Sequence, residues 1–532
     1  MQNTFSRFRW VIAGGVLFSL VFYQEKMAVN LAIFDLFILA AFFCLYADAR
    51  QNAAVRWLAL GHLTCLAMVV LHNTDLSVFA SMVTLWLTIA YGMYVHRSPL
   101  YAGASAIANF ILSPYMMVVA CFSFTQAGRK KRKLFGKIFR FMMLPVLLVL
   151  IFTAVYAGGN SAFQTMFDNV AMKIERFVHY LLNAFSWGRF ALLVPGLLIS
   201  TGLLLRRKRD FFSELESKKT DDLKRKKSAW LDKSRNPLFN IAESLSGKFM
   251  TGIMALKNER TTGLISLIML NVLLLVVNLL DINNLWFGFD PSRKALLWEL
   301  LHEGTGMLIL SIVLAMLVLL FFFKGNLNFY EKNRTLKLLA YCWIFQNIIL
   351  VVSVLLRDYY YIEQYGLAFK RLGVLFFLIM VVAGLITMFI KISSRKTVYF
   401  LLRVNSATAV ILLVLSTFIN WDELIAGYNL KRSATVPVDV PFLLSLSDKT
   451  IPLIEKHLDA FSNAKKQPDE WTSIDLLSAS RATDFYKYAK PEDYIRQLRI
   501  KEERFLERQA KYSWLSWNFA DQSVKQYLAY LP

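Results

Sequence analysis

Residues 304–323 read GTGMLILSIVLAMLVLLFFF, and three similar runs follow: LKLLAYCWIFQNIILVVSVLL (336–356), LGVLFFLIMVVAGLITMFI (372–390) and TVYFLLRVNSATAVILLVLSTFI (397–419). Each holds about 20 mostly apolar residues, and at ~1.5 Å rise per residue a helix of that length crosses a ~30 Å hydrocarbon core. Polar residues collect between the runs in two kinds of cluster. One is basic: Lys324, Lys332, Arg334 and Lys337, then Lys391, Arg395, Lys396 and Arg403. The other mixes charges with Tyr, Trp and Asn: His302-Glu303, Arg357-Asp358-Tyr359-Tyr360-Tyr361, Lys370-Arg371 and Asn420-Trp421-Asp422. Helices that alternate in direction place each kind on its own side of the membrane, and the positive-inside bias makes the basic side cytoplasmic.

Composition agrees with this reading. The chain has 532 residues, of which 56% are hydrophobic, and its mean hydropathy is +0.45. Apolar residues at this density, arranged in blocks of about 20, make the bilayer the solvent. The net charge of +23 is not a nucleic-acid signature, because Lys and Arg crowd into short loops and no recognition motif accompanies them. Cys44, Cys65, Cys121 and Cys342 all fall in apolar blocks. Without a CxxC or a Cys/His spacing suited to zinc, neither a disulfide framework nor a metal or cofactor site is expected. The first apolar block, Trp10 to Tyr23, runs into QEKMAVN. It lacks a small-residue cleavage site and reads as an uncleaved helix.

Further candidate spans run Val29–Ala47, Trp57–Leu71, Val78–Val95, Leu100–Phe124, Phe141–Ala157, Phe190–Leu205 and Thr262–Leu280. The expected fold is therefore all-α, a polytopic integral membrane protein with about twelve transmembrane helices in two bundles, followed by a small soluble helical tail. Pro114 breaks the Leu100–Phe124 block, which is either one kinked span or a re-entrant pair. The run Arg129 to Lys133, with Lys137 and Arg140, is the firmest cytoplasmic marker, and the polar stretch around Asp168 to His179 suits the outer interface. The parts are an N-terminal bundle (1–205), a basic cytoplasmic linker (206–260), a second bundle (261–430) and an extracytoplasmic tail (431–532). The linker carries fifteen Lys/Arg against eight Asp/Glu and is suited either to anionic lipid headgroups or to a solvated loop; Leu238 to Met254 reads as a helix within it. If the loops at Arg129, Arg206, Lys324 and Lys391 are all cytoplasmic, the tail lies outside. Counting back, the N-terminus then also lies outside despite Arg7 and Arg9, unless one early segment fails to cross. In the tail, DVPFLLS (439–445) reads as a strand or turn, a helix follows the capping pair Ser447-Asp448, and WTSIDLLSASRATDFYKYA (471–489) and the stretch after Pro491 read as amphipathic helices. Trp514, Trp517 and Tyr527 would help dock it.

Four segments carry a family resemblance: LLHEGTGMLILSIVLAM (300–316), FKGNLNFYEKNRTLKLLAYCWIFQN (323–347), LLRDYYYIEQYGLAFKRLGVLFFL (355–378) and LLRVNSATAVILLVLSTFINWDELIAGYNL (401–430). Together they resemble a bacterial polytopic membrane family catalogued only as a domain of unknown function, DUF4173. The resemblance covers the second half of the chain closely and the first half loosely, and it implies a protein of the bacterial cytoplasmic (inner) membrane. It brings no catalytic residue with it.

The candidate site is therefore argued from the residues alone. His302, Glu303, Arg357, Asp358, Arg371 and Asp422 share the outer face by the topology above. His302-Glu303 is not HExxH, because position 306 is glycine. The pair is either a proton-handling group or a helix start in which the acid meets the helix dipole. Arg357 and Arg371 run against the charge bias, which is explained either by pairing with Asp358, Glu363 or Asp422 or by an anionic, lipid-linked ligand. Tyr359, Tyr360 and Tyr361 form an aromatic belt or a sugar platform. Of the deeper polar residues Asp35, His62, Gln346, Asn347 and Asn405, Asp35 suits either ion passage or an interfacial position near the start of its span, whereas Asn347 and Asn405 suit hydrogen bonds between helices. The expected function is binding or scaffolding in the envelope, with membrane lipid as the partner and no nucleic acid. The rivals are a transporter or flippase, and an enzyme acting on a lipid-linked substrate.

Overall fold

The computed structural model describes residues 2–127, 187–207, 209–224, 255–287, 294–323, 326–330, 332–463 and 490–530, with isolated positions between 145 and 173. The basic run from Arg129 to Arg140, the span Phe141–Ala157, the polar stretch 168–179, the helix 238–254 and the tail segment 471–489 lie outside the described residues, save those isolated positions. All the regular elements described are helices, and the one β feature is an isolated bridge between Asp222 and Lys396. Among the described residues six helices are long and apolar enough to cross a membrane: Ala53–Leu71, Asp75–Met93, Lys257–Trp286, Arg334–Tyr365, Phe369–Ser393 and Val398–Ser416. Val29–Leu45, Gly188–Leu204 and Gly306–Phe322 are shorter apolar helices. The chain is thus an all-helical, membrane-embedded protein.

Contacts divide it into two units. The first contains Met1–Val95, Ala102–Phe212 and Tyr512–Asn518. Its helices are α1 (Gln2–Phe22), α2 (Val29–Leu45), α3 (Ala53–Leu71), α4 (Asp75–Met93), most of α5 (Pro99–Ile111), α6 (Ser113–Ala127) and α7 (Trp187–Leu204). Small residues let α1 and α7 approach closely, as is usual where lipid removes the hydrophobic drive between helices. A Cβ on Gly14 would lie 2.5 Å from Ser200 Oγ, and one on Gly196 would lie 2.9 Å from the Gly15 carbonyl. Asn30 ties the end of α1 to the start of α2, donating to the Val21 carbonyl (3.0 Å) and accepting from Ala28 N (2.7 Å). Asn52 and Thr74 cap α3 and α4. The block broken at Pro114 is two helices, α5 and α6, bent by 57°. The proline sits at the start of α6, where its missing N–H is tolerated. Residues 512–518 dock through serines rather than tryptophans. Ser516 Oγ donates to Glu25 Oε2 (2.5 Å) and Ser513 N does so at 3.2 Å, while Trp514 remains 67% exposed.

The second unit contains His96–Tyr101, Ser213–Lys511 and Phe519–Pro532. The short helix α8 (Phe211–Ser217) leads into it, followed by α9 (Ala255–Asp281), α10 (Lys294–Phe322), α11 (Arg334–Tyr365), α12 (Phe369–Ser393) and α13 (Val398–Ser416). Leu267, Ile312, Leu319, Leu336, Ile344, Val354, Leu385 and Ile392 form its apolar core. A polar ladder joins α9 to α11 through this core. Asn271 Nδ2 donates to the Leu339 carbonyl (3.2 Å), Gln346 Nε2 donates to Asn271 Oδ1 (3.1 Å), and Asn278 Nδ2 donates to the Gln346 carbonyl (3.1 Å). Below it, Trp286 Nε1 donates to Ser353 Oγ (3.1 Å). Asn405 bridges to Thr387 of α12 (3.0 Å), whereas Asn347 donates within its own helix, to the Trp343 carbonyl. Lys391, expected in a cytoplasmic loop cluster, is buried, and its ammonium caps α10 at the Phe323 carbonyl (2.6 Å).

A helical cap continues from α13: α14 (Trp421–Lys431), α15 (Val440–Ser445), α16 (Ile451–Glu455), α17 (Pro491–Lys511) and α18 (Phe519–Ala529). The segment read as strand or turn is α15. Asp439 caps it by accepting from Phe442 N (3.0 Å), and Pro441 sits at its first turn.

Candidate functional site

The ends of α11 and α12 carry most of the residues singled out from sequence. Arg357 pairs with Asp281 at the end of α9, an acid outside the expected set. Both side chains are only 12% exposed, so the pair is a clamp between helices. The next residue, Asp358, is buried; its Oδ2 accepts no hydrogen bond, and the charge acting on it is Arg371. Arg371 in turn donates to the carbonyls of Tyr365 (3.0 Å) and Gly366 and lies over the Tyr361 ring. Its guanidinium therefore holds the α11–α12 turn.

That turn has a second clasp. Gly366 has φ +78° and ψ −177°, a conformation open to glycine. Asn429 reaches over from α14: its Oδ1 accepts from Leu367 N (2.6 Å), and its Nδ2 donates to the Leu367 carbonyl (2.9 Å). A Cβ on Gly366 would lie 2.5 Å from Asn429 Oδ1. Asp422 lies in the first turn of α14, where an acid meets the positive end of the helix. It acts on Lys501 of α17, whose ammonium donates to the carbonyls of Leu444 (2.9 Å) and Leu446 (2.5 Å). Burial lowers the Lys501 pKa, against the pull of Asp448 and Asp422. His302 and Glu303 lie on α10, with side chains outside the described residues. The structure thus sets Asp358 in the field of Arg371, pairs Arg357 with Asp281, and turns Asp422 to the cap.

Sequence reading missed a second polar knot. Glu216 of α8 is 1% exposed. Its carboxylate accepts from His96 Nδ1 (2.7 Å), Tyr399 OH (2.6 Å), Ser98 N (2.8 Å) and Arg97 N (3.2 Å). Burial raises its pKa, but the donors outweigh burial and the net shift is downward. Just after it, Thr397 N donates to the Asp221 carbonyl (2.8 Å), and Arg403 and Lys396 pair with Asp221 (2.7 Å) and Asp222 (2.5 Å). Residues 216–222 of the basic linker are therefore built into the second unit. No local signal marks this, because the partners lie 120 and 183 positions from Glu216.

In the first unit, Asp35 and His62 are 3% and 0% exposed and face each other across 3.9 Å. Among the described residues no group of three or more His, Cys, Asp or Glu is placed to hold a metal ion.

A family model described as "Domain of unknown function (DUF4153)" matches residues 36–457. The chain belongs to this family. The DUF4153 match takes in parts of both units, extending well into the first half where the resemblance was loose, and the matched family is DUF4153 in place of DUF4173. Searches of curated proteins and of solved structures returned no match. Within the DUF4153 region lie His62, the Glu216 knot, the α11–α12 turn and its Asn429 clasp.

Proposed function

We propose that this DUF4153 protein is a binding scaffold of the bacterial inner membrane, with its helical cap on the extracytoplasmic side. One observation carries the reading: the cap and the α11–α12 turn share a single apolar core. Leu367 and Leu372 pack with Ile425, Leu430, Leu443, Phe461 and Leu498, so spans and cap form one rigid platform. Arg357 and Arg371 are engaged in holding it. Lys370, exposed beside Arg371, supplies the charge for an anionic, lipid-linked ligand at the rim. A photoreactive anionic phospholipid is expected to label the 366–371 rim and to lose that adduct in Lys370→Glu. Equal labelling by a zwitterionic analogue, or cytoplasmic activity of a sidedness reporter fused after Leu430, would defeat the reading. A second reading, transport, is favoured by the buried Asp35–His62 pair.

A further inference from the structure

We propose that Asp35 and His62 form an intramembrane site that takes up and releases a single exchangeable proton. The proposal stands whether the protein is a scaffold or a carrier.

The ring orientation of His62 carries the argument. Nδ1 lies 3.0 Å from the Ser81 carbonyl and 3.3 Å from Thr84 Oγ1. A carbonyl oxygen only accepts, so Nδ1 bears the N–H. In the neutral ring Nε2 is then a bare lone pair, and it faces Asp35 Oδ2 at 3.9 Å. Neither atom has a hydrogen-bond partner, and both are sealed from solvent. With Asp35 ionised, two acceptors face each other in a dry interior, an arrangement that leaves both unsatisfied. One proton on either atom converts them into a donor and an acceptor. Closing to hydrogen-bond distance then takes a movement of about 1 Å. The proton comes from water and returns to it, no covalent bond between heavy atoms changes, and the pair's charge alternates between −1 and 0.

The surroundings leave that proton as the natural partner. Charges on the elements around α2 are engaged elsewhere or sit toward helix ends, as do Arg9 of α1, Lys26 between α1 and α2, and Asp48 just after α2. Arg7 of α1 lies over Tyr46, Arg50 donates to the Phe43 carbonyl, Glu25 holds Ser513 and Ser516, and Arg189 of α7 lies over Tyr23. Arg56 and Asp75 are in the first turns of α3 and α4, and His72 caps the end of α3. Along α4, the fully buried Ser77, Ser81, Thr84 and Thr88 follow one face at helical spacing. They give the pair a polar lining that runs back to the α3–α4 turn. An ionisable residue kept inside a span without a fixed partner is costly unless it titrates or conducts.

The test is infrared difference spectroscopy of the full-length protein in lipid nanodiscs between acid and alkaline pH. A protonated-carboxyl band is expected that disappears in Asp35→Asn and shifts in His62→Gln. If Asp35→Asn does not fold, Asp35→Glu keeps the titration and is expected to move the band. Nitrogen NMR of histidine-labelled protein, with the signal assigned by its loss in His62→Gln, is expected to show Nδ1 protonated at alkaline pH and Nε2 bare. A band untouched by substitution at Asp35, a band indifferent to His62, or an Nε2–H tautomer overturns the proposal. Loss of the band on replacing choline by sodium at constant pH would also overturn it, in favour of a metal cation.

Discussion

Substituting Gly366 by alanine tests how the cap is fixed to the membrane helices. Two penalties follow from the geometry. The backbone at φ +78° and ψ −177° strains any residue with a Cβ, by about 1–3 kcal/mol. The new methyl carbon would also lie 2.5 Å from Asn429 Oδ1, which forces the amide off Leu367. That forfeits two hydrogen bonds, about 1–3 kcal/mol for the pair when the backbone groups are left half-buried. Gly366→Ala is thus expected to destabilise the second unit by about 2–6 kcal/mol. Asn429→Ala alone loses the hydrogen bonds and keeps the backbone conformation. Because Gly366→Ala already breaks the Asn429 clasp, the double variant should be less destabilised than the sum, with a coupling equal to that of the clasp, about 1–3 kcal/mol. The measurement is thermal unfolding of the full chain in one detergent, with parallel SDS titrations. Strictly additive losses, or an unchanged midpoint in Gly366→Ala, would refute the clasp.

Arg357→Gln leaves Asp281 buried without its partner and is expected to cost about 3 kcal/mol; Asp281→Asn in the same chain should recover part of it in the same unfolding assay. In the cap, Arg499 bridges Glu455 (3.0 Å) and Glu502 (2.8 Å), and burial first, then the neighbouring Glu502, raises the Glu455 pKa above 4.5. A raised acid contributes stability that is full below its unfolded value and lost as pH rises through the folded value. Cap stability should therefore fall as pH rises from 4.5, and Glu455→Gln should flatten that slope in pH-dependent melts. Limited proteolysis of inverted vesicles should cut within 225–248, on charge density, and spare 213–224, which pairs with the α12–α13 turn; first cleavage at Lys218 or Lys219 would contradict the docking.

Much of the fold was legible because the bilayer writes it in simple arithmetic. Runs of about 20 apolar residues gave the spans at 336–356 and 372–390, which fall within α11 and α12, and the run 397–419, which contains the shorter α13. Pro114 marked the break between α5 and α6, and Pro491 the start of α17. Side-chain partners were another matter. Arg357 was read against the acids nearest in its clusters, yet it pairs with Asp281, 76 positions away. Lys391 was counted as loop charge because a lysine at the end of an apolar run looks cytoplasmic; only the fold shows an unsatisfied helix end beside it. Glu216 and its partners come from three separated segments, and neither periodicity nor composition records such a meeting. Asp35 and His62 were visible as polar residues within apolar runs, but their facing geometry was not.

The ladder between α9 and α11 sets a limit on how this chain can drift. Lipid offers a helix no apolar reason to prefer one vertical alignment with its neighbour over the next turn. On its outer face α9 meets no such constraint: Ile265, Met269, Val272, Leu273, Val276 and Leu280 point outward, and any oily side chain serves there. Asn271, Asn278 and Trp286 instead act as notches cut to match Leu339, Gln346 and Ser353. Sliding α9 by one turn would strand several amides in hydrocarbon at once, so the helix can change nearly all its outward surface while its height in the membrane stays fixed.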